Sequence, residues 1–261
     1  MNIEKRFLTI NPYSRPGTKI GVIKGPVFHW VANPGSTAIN NRNYFENLKD
    51  TKARYASSHY IIGLEGEIIQ CIPENEIAYH ATGANTNFIG IECCHPDASG
   101  KFTKETLNSM IMLGGDILKR YGVSKILRHH DVTGKNCPKY FVDNPSEWVN
   151  FREDVKNMAA GMYPVDMILG AIANKTEYTG GLDRGYWKNV LEGKKQVESQ
   201  YLHILLTRIL GIAPASDVSF IIEGMQHLTS LNPPEYWKNV LEGKQKVKTE
   251  YLRVLLGRLV V

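Results

Sequence analysis

The chain has no apolar run approaching the roughly 20 residues that a membrane-crossing helix needs. That excludes a helical span. The stretch Met1-Asn2-Ile3-Glu4-Lys5-Arg6-Phe7-Leu8 also lacks an apolar core of the kind secretory signals carry. The expectation is synthesis in the cytoplasm, with another route out if the target lies outside. Cysteine is scarce, with four in 261 residues. Cys93 and Cys94 are adjacent, an awkward geometry for mutual pairing, and Cys71 and Cys137 add no regular spacing. A disulfide framework is therefore not expected. Charge of one sign is scarce too. The net charge is +5, and from Gly161 onward 12 Lys+Arg stand against 10 Asp+Glu, leaving +2. The dense basic stripe of a nucleic-acid binder is missing.

What is present suffices for a packed core, since 43% of the residues are hydrophobic. The length allows one large domain or two ordinary ones. Two textures divide the chain. Up to about residue 157, short β-rich runs alternate with helical stretches. Gly25 to Val31 is an apolar run closed by Asn33-Pro34-Gly35, which predicts a buried strand ending in a turn. A helix is expected from Thr37 to Lys49, with Ser36 or Thr37 as its cap. Ser58–Gly63 and Glu67–Ile72 flank a turn and predict a hairpin. Phe88–Cys94 predicts another buried strand. Leu107 to Tyr121 has helical periodicity, with Thr103 before it and Gly122 to stop it. Lys125–Arg128 predicts a short strand and Ser146–Met158 a last helix. Such interleaving predicts an α/β domain over 1–158. A linker is expected at 159–165.

Residues 166–261 read as all-helical and repeat internally. Tyr186-Trp187-Lys188-Asn189-Val190-Leu191-Glu192-Gly193-Lys194 recurs 50 positions later, from Tyr236 to Lys244. Aligning 186–210 with 236–260 gives 15 identities in 25. Apolar positions recur at three and four, the mark of amphipathic helices. A weaker helical segment precedes each copy. Two tandem three-helix units are expected, at about 166–211 and 217–261. Packed together, they would bury a core that neither buries alone.

The residues that carry chemistry are His29, ending an apolar strand, and the segment Arg128-His129-His130-Asp131-Val132-Thr133-Gly134-Lys135-Asn136-Cys137-Pro138. Two imidazoles and a thiolate from His29, His129 and Cys137 are a donor set for zinc with one position left open. If 128–132 is extended, His130 points away from its neighbour's side. Asp131 would then either support a ligand or cap the following turn.

These pieces resemble the zinc-dependent N-acetylmuramoyl-L-alanine amidases of the type-2 amidase family. That family includes phage endolysins and bacterial autolysins and shares its fold with the peptidoglycan recognition proteins. The matching parts span roughly residues 20–140: His29, Ser58–Gly63, His80–Asn85, Ile89–Glu92 and His129–Cys137. Their order looks most like endolysins from phages of Gram-positive, spore-forming hosts. The resemblance implies a mixed central β-sheet flanked by helices, with zinc on His29, His129 and Cys137. It implies cleavage of the amide between N-acetylmuramic acid and L-alanine by an activated water. It assigns proton transfer to Glu92, oxyanion stabilisation to Lys135 and a place in the substrate groove to His80. His59 is expected to be structural. In one branch of the family a tyrosine before the histidine matching His59 assists catalysis. Ser58 stands there, which puts more weight on Glu92.

An enzyme acting on an insoluble polymer gains from an anchor, so the repeats are expected to bind cell wall. Trp187 and Trp237 are candidate sugar contacts, with the helical core as the competing place for them. Lys188 and Lys238 would face anionic wall polymers, and the helical pairs could also mediate oligomerisation. The implied partner is peptidoglycan, with secondary wall polymers beside it and no nucleic acid. An endolysin would be made in the host cytoplasm and released through a holin-type pore. Two rival readings are a non-catalytic peptidoglycan-recognition protein and a cytosolic amidase recycling soluble muropeptides. Cys137 with Glu92 argues against the first, and the repeats argue against the second.

Overall fold

The structure, a computed structural model, describes residues 1–175, 183–213, 216–229 and 233–261. The parts of the expected repeats at 176–182, 214–215 and 230–232 lie outside the described residues. The chain divides into two compact units, Met1–Ala160 and Gly161–Val261.

The first unit is built on a six-stranded mixed sheet. Its strands are β1 (Ile3–Lys5), β2 (Pro26–Trp30), β3 (Tyr60–Ile62), β4 (Ile68–Gln70), β5 (Ile89–Cys93) and β6 (Leu127–Arg128), in the order β1-β4-β3-β5-β2-β6. Only β3 and β4 pair antiparallel, as the expected hairpin. The other neighbours run parallel. β2 and β5 are almost wholly buried, which is why both read as continuous apolar runs. β1 went unread: it is a three-residue edge strand with two exposed charged residues and carries no periodic signal.

Helices cover both faces. α1 (Ala38–Thr51) lies against β3 and β4. Thr37 caps it, its hydroxyl accepting the Asn40 N–H at 3.2 Å. α2 (Lys104–Tyr121) packs on the opposite face and is capped by Thr103 and stopped by the left-handed Gly122. α3 (His129–Thr133) and α4 (Lys139–Asp143) are single short helices, and α5 (Pro145–Ala159) packs along α2. Residue parity along β2 then decides the layout. Phe28 points toward α2 and α5, meeting the Phe151 ring edge-on at 5.0 Å. His29 therefore points to the α1 side.

The second unit holds six helices among the described residues: α6 (Val165–Lys175), α7 (Arg184–Leu191), α8 (Ser199–Leu210), α9 (Val218–Thr229), α10 (Pro234–Leu241) and α11 (Thr249–Val260). Three belong to each copy, but the copies interlock. α8 packs on α9 and α10 of the second copy, while α11 packs on α6 and α7 of the first. One apolar cluster joins both copies, including Leu202, Leu206, Leu252 and Leu256. Trp187 and Trp237 are 6% and 3% exposed within it. This corrects the expectation that they contact sugar, because neither ring has a free face. Their 3.6-residue phase with Val190, Leu191, Val240 and Leu241 turns them inward. Trp237→Ala is expected to destabilise this unit by about 3–5 kcal/mol. Thermal unfolding followed by helical circular dichroism would measure it.

Candidate metal centre and active site

Three parallel neighbours, β5, β2 and β6, all end at one place. Crevices for ligands form at the carboxyl ends of such strands. β2 lies in the middle and brings His29. β5 brings Glu92, paired in register with His29. β6 ends at Arg128, so the next residue, His129, enters from the other side.

The segment after β6 is not extended. It folds as the α3 turn, which corrects the basis on which His129 was preferred to His130. The distinction between them is made by bonding instead. His129 Nδ1 lies 3.1 Å from His29 Nδ1. His130 Nδ1 lies 3.1 Å from the Lys135 carbonyl and is engaged there. Asp131 does not back a ligand. Its carboxylate accepts the Arg128 backbone N–H at 2.8 Å and the Arg128 guanidinium at 2.7 Å, fixing the strand-to-helix corner. Gly134, at φ 79°, makes the left-handed turn that returns the chain toward the sheet. The His130 N–H then donates to the Cys137 carbonyl at 2.9 Å. Cys137 Sγ ends 3.8 Å from His29 Nδ1.

His29 Nδ1, His129 Nδ1 and Cys137 Sγ all lie within 4.8 Å of one another. Tetrahedral zinc with nitrogen and sulfur donors separates them by roughly 3.3–3.6 Å, so the cluster fits with small side-chain shifts. The tautomer of His29 fits as well. The Phe88 carbonyl can only accept, so His80 Nε2 carries the hydrogen and donates to it at 3.2 Å. Burial pushes the His80 pKa down to about 3, so its Nδ1 is a bare acceptor. His29 Nε2 must therefore donate to His80 Nδ1, across 3.1 Å. That leaves the lone pair of His29 on Nδ1, aimed at His129 and Cys137. Burial, with His80, His129 and Lys135 adding to it, also holds His29 well below the ordinary imidazole range.

His80 thus sits behind the ligand. Both its ring nitrogens are committed to the protein, which corrects its expected role as a substrate contact. It borders the groove but is only 7% exposed. Gly90 makes room for it, since a Cβ there would stand 2.4 Å from His80 Cγ. Asn85 Oδ1 accepts the N–H groups of His80 and Ala81 at 3.0 and 2.8 Å, holding the loop. Replacing His80 by phenylalanine is expected to weaken zinc binding by about 10–100-fold. Competition with a chelating dye reads this without an activity assay. His59 is structural: its Nδ1 accepts the Gly90 N–H at 3.0 Å and its Nε2 donates to the Glu76 carbonyl at 2.9 Å.

Glu92 is the other special residue. Oε1 lies 4.0 Å from His29 Nδ1, and Oε2 is buried with no hydrogen-bond partner. Burial raises its pKa to about 8, with Lys135 pulling the other way. Burial likewise pushes the Cys137 thiol up to about 12. Burial thus favours the neutral form of both groups, and a bound divalent cation would favour the charged forms that ligation and proton acceptance need. Lys135 is exposed on the α3-to-Cys137 turn and acts on His29, His129, Glu92 and Cys137 through its field.

These groups floor a groove of about 360 Å³. Its wall includes Asn41, Tyr44, Arg54, Tyr55 and Tyr79, none singled out by sequence. Tyr55 stacks on Tyr13 at 5.2 Å and meets Tyr79 edge-on at 5.7 Å. Aromatic residues in the turn before β3 were the available signal.

Residues 19–140 match the family described as N-acetylmuramoyl-L-alanine amidase. The matched residues lie within the first unit. Two relatives from Bacillus licheniformis are similar. A probable N-acetylmuramoyl-L-alanine amidase is 37% identical over 172 residues, covering 60% of this chain and 48% of that protein. The N-acetylmuramoyl-L-alanine amidase CwlL is 36% identical over 195 residues, covering 69% and 53%. The chain thus spans about half the length of the curated relatives it matches. Among solved structures, the catalytic domain of XlyA superposes with a TM-score of 0.51 at 26% identity. It covers 59% of this chain and 99% of that one. The matched span contains β2 to β6 and the residues His29, Glu92, His129 and Cys137.

Proposed function

We propose that the chain is a zinc-dependent N-acetylmuramoyl-L-alanine amidase. It hydrolyses the amide between the lactyl group of N-acetylmuramic acid and L-alanine in peptidoglycan. The observation that carries this is the convergence of His29 Nδ1, His129 Nδ1 and Cys137 Sγ beside the Glu92 carboxyl, whose Oε2 has no hydrogen-bond partner. The amidase-2 match over residues 19–140 supports the bond assignment.

His29, His129 and Cys137 would hold the metal. Zinc supplies Lewis acidity there, lowering the pKa of water and polarising a carbonyl. Glu92 accepts the proton of the attacking water and later hands it to the departing alanine amine. Its buried site keeps bulk water from competing for that proton. Lys135 places an ammonium beside the carbonyl oxygen as negative charge develops. His80 holds the His29 ring in one tautomer throughout. The Tyr44, Tyr55 and Arg54 wall gives the glycan and peptide stem a surface to lie on.

The second unit is read as the wall anchor, raising the local concentration of an insoluble substrate. The whole is then an endolysin-type lytic enzyme, made in a host cell and delivered to its wall. No described helix is long and apolar enough to cross a membrane. Removing metal with a chelator should abolish clearing of a Gram-positive wall suspension, and stoichiometric zinc should restore it. Undiminished clearing by metal-free protein would contradict the zinc assignment.

A further inference from the structure

We propose that the second unit carries two equivalent sugar-binding corners, Tyr186–Tyr201 and Tyr236–Tyr251, that grip one glycan strand of peptidoglycan at two points. This rests on the reading of that unit as a wall anchor and says how it anchors.

Duplicated segments drift apart where nothing holds them. Between the copies, the exposed positions of the turn before α8 and α11 have drifted: Lys195 against Gln245, Gln196 against Lys246, Glu198 against Lys248, Gln200 against Glu250. The next residue has not. Tyr201 and Tyr251 are both tyrosine, and they are 44% and 45% exposed. Core packing does not demand an aromatic ring that stands so far out of the core.

Each exposed ring meets an inner tyrosine at a wide angle. The Tyr186–Tyr201 centroids are 5.4 Å apart with planes at 73°, and the Tyr236–Tyr251 centroids are 5.4 Å apart at 76°. The inner ring is pinned. Tyr186 Oη accepts the Glu198 N–H at 3.2 Å, and Tyr236 Oη accepts the Lys248 N–H at 2.8 Å. The result, made twice, is a rigid aromatic corner with little rotamer entropy left to lose. A flat ring with a polar edge suits the face of a sugar.

The turns that carry the corners abut. Gln196 Nε2 donates to the Val247 carbonyl at 3.2 Å. A Cβ at Gly193 would stand 3.4 Å from Thr249 Oγ1, and one at Gly243 would stand 3.4 Å from Ser199 Oγ. The contacts are reciprocal, as across a local two-fold. Two like sites suit a polymer with a regular repeat.

Charge favours an uncharged sugar chain over a polyanion. Each lysine that the copies share stands by an acid: Lys194 lies 2.7 Å and Lys188 3.9 Å from Glu192, Lys244 lies 2.6 Å from Glu242, and Lys238 acts on Glu242 through its field. The lysines over the rings are not shared. Lys195 covers Tyr186 in one copy, whereas Lys248 covers Tyr251 in the other. The aromatic corner is constant in both copies, and the constant charges around it, Lys188, Glu192, Lys194 and their equivalents, are of mixed sign.

The test uses the full chain carrying Glu92→Gln, so that walls are bound and not digested. Binding is measured to sacculi stripped of secondary polymers by acid and to the isolated secondary polymer. The expected result is retention on stripped sacculi, weakened about tenfold by Tyr201→Ala or Tyr251→Ala and about a hundredfold by both. Tyr201→Phe with Tyr251→Phe should stay within about twofold, and circular dichroism should not change. Undiminished binding by the double alanine variant overturns the proposal. So does wild-type retention on the secondary polymer alone. Trp237→Ala, assayed at a temperature where circular dichroism shows the unit unfolded, separates the two levels. If it too retains binding, the anchor reading fails. If it loses binding while the tyrosine variants keep it, the corners alone fail.

Discussion

Glu92→Gln is expected to slow amide cleavage by about 10²–10⁴-fold, the usual worth of a positioned acid–base group. Zinc content should stay at about one per chain. Glutamine keeps the volume, so β5 and its pairing with β2 should survive. What disappears is the site that takes a proton from water and returns it to the amine. The loss should fall on kcat, because the carboxyl lies beside His29 at the groove floor, away from the wall on which the proposal places the substrate. Single-turnover kinetics on a defined muropeptide, with zinc measured by atomic absorption, checks both halves. A variant that keeps wild-type kcat would remove Glu92 from the mechanism.

Cys137→Ala is expected to lose more, with turnover falling below detection and zinc affinity dropping by several orders of magnitude. The thiolate is the only anionic donor of the three. Without it, two neutral imidazoles share a buried pocket beside a carboxyl, and a dication is poorly neutralised. The variant should still fold, since the sheet ladder holds β2 and β5, and the backbone bond lost is one from Trp30 at the end of β2 to the sulfur. Isothermal titration with zinc and far-ultraviolet circular dichroism on the same sample would show lost binding with retained structure. Tight stoichiometric zinc in Cys137→Ala would mean that the donor set is misassigned.

The sequence was most legible where burial imposes a period. β2 and β5 are buried on both faces, so they appear as unbroken apolar runs. α2 announces both ends, through the Thr103 hydroxyl and Gly122. β1 and α3 are three and five residues long and, unlike the comparably short β3 and β4, contain no continuous apolar run. The donors His29, His129 and Cys137 could be named because their chemistry is unusual as a set. The role of His80 could not be. It depends on which ring nitrogen of His29 faces the cluster, and that follows from Gly90, Phe88 and the sheet register. Trp187 and Trp237 show the limit of residue type as a guide. Tryptophan suggests sugar, but the helical phase places these two inside and leaves Tyr201 and Tyr251 outside. The interlocking of the repeats was also invisible, because a repeat gives the same pattern whether α8 packs on its own copy or on the other.

The central claim is that this cluster of donors and Glu92 breaks one particular bond. Mass spectrometry of purified Gram-positive peptidoglycan after digestion tests it most directly. The account predicts stem peptides released with free alanine amino termini, glycan strands left with intact lactyl groups, and no new reducing ends. New reducing ends without alanine amino termini would make the protein a glycosidase and contradict the account.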